Sequence, residues 1–370
     1  MQQRVVMLVD LDYFYAQVEE IRNPSIRDKP VVVCVYSGRT EDSGAVATAN
    51  YIAREHGVRS GIPIALAKKR LKGIEAVFLP MDRRYYEEVS ERVMAILRGY
   101  ADAFEQVGID EAYLDVGERV RGNFKDARWA AFEIKDKTKA QEGITCSIGV
   151  APNKLVAKIA SDVQKPDGLT VVEADEVESF LSPMPVGRIP GIGAKTEGKM
   201  GELGISTISD LARFDAQKLI ETFGKALGTY FHNASVGLDD QPVEERGEAL
   251  SISRIATLKE NTRDLSVIME KANQLSAEVY SRLLERGLTF KSIGIVVVMT
   301  DLTAHSRSKT FENPMNQLEV IKKTARELFE RFLAESTHEA RRVGVKVSGF
   351  EKQEGQQRTL ADFMQPSRKT

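Results

Sequence analysis

Two short acidic clusters contain the residue types best suited to chemistry in this chain. Asp10 follows the apolar residues 5–9, and Asp110 and Glu111 follow a second apolar run. A carboxylate beside a strand interior is costly to desolvate unless a cation meets it. Two such clusters at predicted strand ends therefore indicate one shared cation site, to which the Leu11 carbonyl could add an oxygen.

The set formed by Asp10, Asp110 and Glu111 contains only oxygen ligands. Hard oxygen ligands without His or Cys favour Mg²⁺ or a similar cation over zinc. Neighbouring carboxylates repel one another, and a divalent ion keeps them ionised. Two ions bridging such a set can activate a hydroxyl and neutralise a leaving phosphate in an in-line displacement. The alternative is that each acid is a solvated residue at a strand end.

Cationic and hydroxyl side chains that could bind a triphosphate occur in two places. Thr48, Tyr51 and Arg54 are spaced three apart, which predicts one face of a helix that presents a hydroxyl, a phenol and a guanidinium. Lys165 stands in a turn after a predicted helix. Each of these residues, taken alone, could instead be an ordinary surface residue.

The elements that must position these residues follow a β-α-β-β-α-β order, with an insert between roughly residues 20 and 80. This is the ferredoxin-like split order, in which the first and third strands are neighbours at the centre of the sheet. The two acidic clusters should therefore meet. The predicted strands are residues 4–9, 103–108, 111–116 and 145–150, and the predicted helices are 14–21 and 127–140.

A helical region with a glycine hairpin follows the predicted sheet. Gly191 and Gly193, with Lys195 just after them, lie between predicted helices. Glycines let backbone N–H groups approach a phosphate closely, so the pattern indicates a helix-hairpin-helix unit that binds a nucleic-acid backbone. An ordinary turn is the alternative. Residues 237–247 are polar and rich in helix breakers, which predicts a linker to a further domain of strands and helices.

Composition sets the outer limits. A chain of 370 residues fits two to four domains, and its 42% hydrophobic and 29% charged content is that of a globular protein. No run has the length of a membrane span or the pattern of a signal peptide. Cys34 and Cys146 both fall in apolar runs, so we expect no disulfide or zinc site and a reduced, cytoplasmic protein. The net charge of −2 does not exclude a local basic face for nucleic acid.

At this point the sequence resembles a known family. Six segments, occurring in order, are similar to the signature segments of Y-family translesion DNA polymerases of the DNA polymerase IV type, particularly the archaeal members. The resemblance covers residues 1 to about 350. The segments are 9–16 (VDLDYFYA), 43–51 (SGAVATANY), 60–63 (SGIP), 109–115 (IDEAYLD), 147–154 (SIGVAPNK) and 165–168 (KPDG).

The resemblance implies an α+β multidomain fold shaped as a right hand, with a ferredoxin-like palm, small fingers, a helical thumb containing the helix-hairpin-helix, and an α/β little-finger domain. The implied domains are the palm (1–20 and 78–168), fingers (21–77), thumb (169–236), linker (237–247), little finger (248–350) and flexible tail (351–370).

The resemblance also implies an active site. Two Mg²⁺ ions would be held by Asp10, Leu11, Asp110 and Glu111, with the three acids as the catalytic residues. Tyr15 matches the position of the steric gate, where an aromatic ring excludes a 2′-hydroxyl, although core packing is its other possible role. The implied dNTP-binding residues are Tyr13, Phe14, Tyr15, Thr48, Tyr51, Arg54 and Lys165.

Low fidelity and lesion bypass are expected from the residues that would cover the nascent base pair. Ala45, Ala47 and Gly61 present little bulk, so shape checking would be weak and selection would depend on base pairing. The expected activity is template-directed transfer of dNTPs to a primer 3′-hydroxyl.

The implied partners are primed template DNA, dNTPs and a sliding clamp, with no membrane and a monomeric chain. Besides the hairpin, candidate phosphate contacts in the last domain are Arg254, Lys259, Arg307, Lys309, Arg341 and Lys346. The tail resembles a clamp-binding peptide with Gln357, Leu360, Phe363 and Met364, although Met364 stands where a second aromatic residue is usual.

Two other functions remain open from the residues alone. A nucleotidyl cyclase also uses a ferredoxin-like palm with two metal-binding acids, but it would not need the hairpin or the last domain. A DNA-damage binding module with vestigial carboxylates is the non-enzymatic alternative.

Overall fold

The structure is a computed structural model that describes residues 3–245, 247 and 249–352. The chain divides into two compact units. The first comprises the described residues up to Val35 and those from Ala45 to 245, and the second comprises 36–44 and the described residues from Gly247 onward. In the part of the chain that is described, no helix is both long and apolar enough to cross a membrane.

The strands of the first unit form two sheets. They are β1 (Val6–Leu11), β2 (Val31–Tyr36), β3 (Gly44–Ala49), β4 (Val77–Pro80), β5 (Ala103–Gln106), β6 (Glu111–Asp115), β7 (Cys146–Ala151) and β8 (Leu169–Val171). The helices between and after them are α1 (Phe14–Arg22), α2 (Tyr51–Glu55), α3 (Ile64–Arg70), α4 (Arg83–Arg98), α5 (Phe124–Glu142), α6 (Lys154–Ser161), α7 (Val177–Leu181), α8 (Ala194–Glu202), α9 (Ile208–Arg213), α10 (Ala216–Phe223) and α11 (Lys225–Ser235).

The larger sheet has the strand order β5-β6-β1-β7-β8. Strand β1 pairs antiparallel with both β6 and β7, so the prediction that the first and third strands are neighbours is confirmed. The predicted end of β1 at residue 9 is wrong. The strand continues through Asp10 to Leu11, because Leu11 N donates to the Asp110 carbonyl at 2.8 Å and both neighbouring strands continue the ladder.

Both faces of this sheet are covered, which explains why β1 is apolar at every position before Asp10. Met7 and Val9 lie in a core with side chains of α1, α4 and α5, whereas Val6 and Leu8 lie in a second core with α6 and the helices after residue 177. The sheet is therefore a rigid central layer on which functional side chains can be fixed.

The smaller sheet has the order β3-β2-β4, and β2 runs parallel to β4. Its core contains Val32 and Val46 from the strands together with Ala53 of α2 and Ile64 of α3. The Asn50 side chain accepts from Ala53 N at 3.0 Å and so caps α2 directly after β3.

The helical region after residue 177 surrounds the predicted hairpin. Gly191 has φ +88°, a left-handed conformation that favours glycine, and Gly193 immediately precedes α8. The Tyr230 hydroxyl donates to the Pro190 carbonyl at 2.8 Å and fixes the turn.

The segment predicted as a linker follows α11 and makes specific contacts within the first unit. Asn153 Nδ2 donates to the Gly237 carbonyl at 2.8 Å, and Asp239 Oδ2 accepts from Leu155 N at 3.0 Å at the start of α6. Val243 is buried. The described part of this segment is therefore held in place up to residue 245, and the division between the units follows it.

The second unit has two helices on one face of an antiparallel sheet of order β11-β10-β12-β9. Alternate residues Ile293, Ile295 and Val297 of β10 and Val343 and Val345 of β12 are buried under these helices. The elements are β9 (Ser251–Thr262), α12 (Leu265–Glu285), β10 (Leu288–Met299), β11 (Ala304–Met315), α13 (Leu318–Glu335) and β12 (Ala340–Lys352).

Candidate active site

The two acidic clusters meet across the central strand pair of the first unit. Asp10 of β1 lies directly opposite Glu111, the first residue of β6, and Asp110 lies in the turn just before it. The Asp110 carbonyl accepts from Leu11 N, so this turn is tied to β1. The predicted topology implied that the two clusters would meet, and the register of β1 and β6 confirms it.

Lysine ammonium groups compensate these carboxylates in the structure. Lys158 of α6 donates to Glu111 Oε2 and lies 3.2 Å from Asp10 Oδ2. Lys165 lies 2.8 Å from the other oxygen, Asp10 Oδ1, and 2.7 Å from Asp162 Oδ1. Burial opposes the charged form of Lys158, but Asp10 and Glu111 outweigh it and raise its pKa. One cation therefore already stands within reach of two of the predicted metal ligands.

Among the residues that the structure describes, no three His, Cys, Asp or Glu side chains converge as a metal-binding group in this arrangement. Asp10 and Glu111 nevertheless share one cationic neighbour, Lys158, and both present oxygen. This donor chemistry fits a hard divalent ion. The oxygens of Asp10 and Glu111 that contact the Lys158 ammonium are the ones that would hold such an ion.

The surroundings of Asp110 disfavour a negative charge on its carboxyl group. Burial, followed by the charges of Asp10 and Glu111, raises the pKa of Asp110 to about 6. A cation bound there would remove much of that cost.

Lys158 was missed by sequence reasoning, although a signal was available. Lys154 and Lys158 stand four residues apart on α6, whose other residues are almost all apolar and buried. Lys154 pairs with Glu105 at 2.6 Å. Two lysines on one side of a buried helix require acidic partners, and the sequence offered Glu105 and the acidic clusters.

The predicted triphosphate residues are only partly on one helix. Tyr51 and Arg54 are on α2, and the Arg54 guanidinium lies 4.7 Å from the centre of the Tyr51 ring. The spacing had predicted Thr48 on the same helix, and this prediction is wrong. Thr48 belongs to β3, because Asn50 caps α2 and residues before it remain in the ladder of the small sheet.

The aromatic residues after Leu11 have three different surroundings. Tyr13 donates to Glu20 Oε2 at 3.1 Å and meets the Tyr51 ring edge-on at 5.4 Å. Tyr15 stacks on Tyr86 with centroids 4.8 Å apart, and burial and then the Asp110 charge raise its pKa. The Phe14 side chain is buried in the core, which leaves only the backbone of this residue for the predicted contact with dNTP.

The small residues predicted to cover the base pair lie next to one another. Ala45 and Ala47 alternate with the buried Val46 on β3, so they share the other face of that strand. Gly61 N donates to the Val46 carbonyl at 2.8 Å, and a Cβ added at Gly61 would meet nothing within 4 Å. These positions present backbone and methyl groups only.

Of the predicted phosphate contacts in the second unit, three lie on the helix-covered face of its sheet. Cross-strand partners share a face. The partners of Arg254, Arg307 and Lys309 are the core residues Val345, Ile295 and Ile293. Each of the three basic residues pairs with a glutamate of α12 or α13, namely Glu278, Glu335 and Glu327.

The opposite, open face of that sheet carries Lys346, which pairs across strands with Gly294 and Ser253. Arg342 shares this face, opposite Val298 and Thr257, and is half-buried. It was not among the predicted phosphate contacts. Lys259 is exposed on β9, and Arg341 adjoins the irregularity in β12. The clamp residues Gln357, Leu360, Phe363 and Met364 lie outside the described residues.

Comparison with family models gives three matches in order along the chain. Residues 9–162 match the impB/mucB/samB family, and residues 249–360 match the C-terminal domain of that family. Residues 187–239 match a model described as the thumb domain of DNA polymerase iota.

Curated relatives cover almost the whole chain. A DNA polymerase IV of Nitrosopumilus maritimus is 47% identical over 98% of this chain and 100% of its own length. DNA polymerase IV 1 of Methanosarcina mazei is 45% identical, with the same coverage of 98% and 100%.

Solved structures agree with these relatives. A Y-family polymerase chimera, Dbh-Dpo4(243-245)-Dbh, has a TM-score of 0.88 at 39% identity and covers 94% of this chain and 99% of its own. An insertion ternary complex of Dbh DNA polymerase has a TM-score of 0.68 at 39% identity, with coverage of 93% and 98%. The chain therefore belongs to the Y-family of DNA polymerases, and to the DinB type within it.

Proposed function

We propose that this chain is a template-directed DNA polymerase that adds dNTPs to a primer 3′-hydroxyl and copies damaged templates. The observation that carries this proposal is the registered pair of Asp10 and Glu111, both contacting one cation at the centre of the sheet in a chain of this family. Asp110, in the adjoining turn, completes the acidic set.

The metal-binding residues in this proposal are Asp10, Asp110 and Glu111, with the Leu11 carbonyl, and the proposed ligands are two Mg²⁺ ions. When bound, such ions activate the attacking hydroxyl and neutralise charge on the phosphates. The surrounding sheet holds the acids in place, since Asp10 and Glu111 lie within a continuous ladder. Lys158 compensates the acids when the ions are absent.

Tyr51, Arg54 and Lys165 are the proposed triphosphate ligands, with Thr48 beside them on β3. Arg54 is anchored through Nε to the Ala49 carbonyl at 2.9 Å, which leaves its terminal nitrogens for a phosphate. Lys165 carries its charge next to Asp10, where the proposed metal and triphosphate meet.

Tyr15 is the proposed steric gate, with Tyr13 nearby. Stacking on Tyr86 fixes the Tyr15 ring, and a fixed ring can exclude a 2′-hydroxyl by contact. Ala45, Ala47 and Gly61 are proposed to cover the nascent base pair loosely, which supports low fidelity and lesion bypass.

Primer extension tests the proposal. The full chain with Mg²⁺ should extend a primer on an undamaged template and past an abasic site, whereas Asp110→Asn should lose at least about 100-fold in kcat, as removal of a metal ligand does. The exposed Asp136→Asn is the matched control and should extend normally. Tyr15→Ala should incorporate ribonucleotides that the unaltered chain rejects. A template-independent cyclic product, or DNA binding without extension, would contradict the proposal.

We assign the larger sheet of the first unit to the palm (1–20 and 78–168), the small sheet to the fingers (21–77) and the hairpin region to the thumb (169–236). Residues 237–247 are assigned as the linker, 248–350 as the little finger and 351–370 as the tail. The match of residues 187–239 to a thumb-domain model supports the assignment of a thumb in this part of the chain.

Two partner proposals come from the sequence. The tail residues Gln357, Leu360, Phe363 and Met364 are proposed to bind a sliding clamp, and the chain is proposed to act as a monomer. Deleting residues 356–370 should abolish any increase in processivity by the clamp but leave distributive extension intact. Unchanged processivity would contradict the first proposal, and a dimer in sedimentation equilibrium would contradict the second.

A further inference from the structure

Asp12 is a buried carboxylate with no assigned role, two residues after Asp10. It is 1% exposed, and its oxygens accept from three donors. Oδ1 accepts from Ser147 Oγ at 2.7 Å, and Oδ2 accepts from Thr145 Oγ1 at 2.9 Å and from the backbone N of Asp167 at 2.9 Å. With its oxygens already occupied by donors, Asp12 is not placed to act as a metal ligand.

The donor at Asp167 belongs to the turn that carries Lys165. A second tie reaches the same turn from α5. Lys135 donates to Asp167 Oδ1 at 2.5 Å, to the Gly168 carbonyl at 3.3 Å and to the Cys146 carbonyl of β7 at 2.7 Å. The turn is therefore joined to the sheet edge by a buried acid on one side and a largely buried base on the other.

This turn needs such ties because its own backbone does not favour its conformation. Asp167 has φ +55°, in the left-handed region that non-glycine residues rarely adopt. A Cβ at Gly168 would collide with the backbone of Gln164, so only glycine fits there. A conformation of this kind persists where surrounding contacts over-determine it.

We propose that Asp12 and Lys135 are positioning residues that clamp the 165–168 turn from two sides and thereby fix the Lys165 ammonium where it meets the triphosphate. This inference rests on the proposed role of Lys165. A charged acceptor suits the task, because hydrogen bonds to a carboxylate are shorter and stronger than neutral ones. Asp12 and Lys135 act through Lys165 alone, so their loss should affect nucleotide binding but not DNA binding.

Single-nucleotide insertion by the full chain tests the positioning role of Asp12 and Lys135. Asp12→Ala and Lys135→Met should each raise KM for dNTP about five- to ten-fold, the loss expected for one hydrogen-bonded tie, with the Kd for primed DNA unchanged. Asp12→Asn should restore most of the loss, because its amide oxygen can accept from Asp167 N while its NH₂ faces the Ser147 hydroxyl. Thr138→Val is the control: it removes a buried hydrogen bond on α5, from Thr138 Oγ1 to the Ile134 carbonyl, without touching the turn.

A double-mutant cycle with Lys165→Ala identifies the route. If Asp12 acts through Lys165, adding Asp12→Ala to Lys165→Ala should raise KM no further. Hydrogen exchange over residues 162–170 should be faster in Asp12→Ala and Lys135→Met, with unchanged far-UV circular dichroism.

The outcomes separate the two proposals. A normal KM in Lys165→Ala would overturn the proposed triphosphate role of Lys165 itself. A raised KM in Lys165→Ala together with a normal KM in both Asp12→Ala and Lys135→Met would overturn the positioning role alone. An Asp12→Ala effect that is equally large with and without Lys165 would also overturn it.

Discussion

At the scale of single residues, charge compensation governs the candidate site. Asp10, on the central strand, has a lysine on each carboxylate oxygen, whereas Asp110 is half-buried beside two further acids and has its pKa raised. Two neighbouring acids thus have opposite electrostatic surroundings in the metal-free protein. Asp110 is therefore the acid whose ionisation should make the stability of the protein depend on pH.

Asp110→Asn should stabilise the metal-free protein at high pH. The pKa of Asp110 is about 6 in the folded chain against 3.8 ordinarily, so folding takes up a proton between these values and stability falls as pH rises from about 4 to 6. The amide removes this loss, and we expect a gain of up to about 3 kcal/mol at pH 8 and little at pH 4.

Urea unfolding in EDTA at both pH values measures this gain. Asp136→Asn, on the exposed side of α5, is the control and should show no such difference. An Asp110→Asn variant with the same stability increment at pH 4 and pH 8 would show that burial does not set the protonation of this acid.

At the scale of elements, the placement of α6 on the sheet decides where Lys158 lies. The Asn153 side chain caps the helix by accepting from Val156 N at 3.0 Å, and Asp239 accepts from Leu155 N at the same end. The helix approaches β7 closely at Gly149, where an added Cβ would collide with the Ala157 carbonyl and Ser161 N. Glycine at this position is thus a condition for bringing Lys158 to the acids.

Gly149→Ala should therefore destabilise the protein by about 1–3 kcal/mol, because α6 must move away from the sheet to relieve the collision. Catalysis should fall as well, since the site on β1 and β6 adjoins this helix. Chemical denaturation and single-turnover insertion measure the two effects. Gly198→Ala is the control: this exposed glycine of α8 has open space around it, and alanine should add up to about 1 kcal/mol of stability. Equal effects of the two substitutions would contradict the close-packing argument.

At the scale of the whole molecule, the distribution of charge matters more than its sum. The net charge is −2, yet the second unit carries the exposed Lys346 and the half-buried Arg342 on the open face of its sheet, near small residues such as Gly294. Basic residues on the covered face are already paired with helix glutamates. Phosphate binding should therefore be concentrated on the open face.

Arg342→Ala and Lys346→Ala should each weaken binding of primed DNA and reduce the slope of log affinity against log salt by about 1. Arg307→Ala and Lys309→Ala, on the helix-covered face, should change the slope by much less. Fluorescence anisotropy from about 50 to 200 mM salt measures all four variants. A larger effect from the covered-face pair would show that the sheet binds DNA in another way.

The sequence by itself determined that the first and third strands of the larger sheet are neighbours and that the two acidic clusters meet there. These features follow from local rules: the alternation of side chains along strands, the periodicity of helices and the chemistry of turns. Family membership was equally accessible, because its signature segments are short and contiguous.

Only the tertiary structure decided which distant groups share a space. The approach of Lys158 to Asp10, the donors around Asp12 and the burial of Phe14 all depend on helices docking against a sheet, and no local pattern encodes that docking. The covered face of the second unit is a similar case. A period of two tells which residues of a strand point the same way, but the side that becomes buried is set when α12 and α13 pack on it.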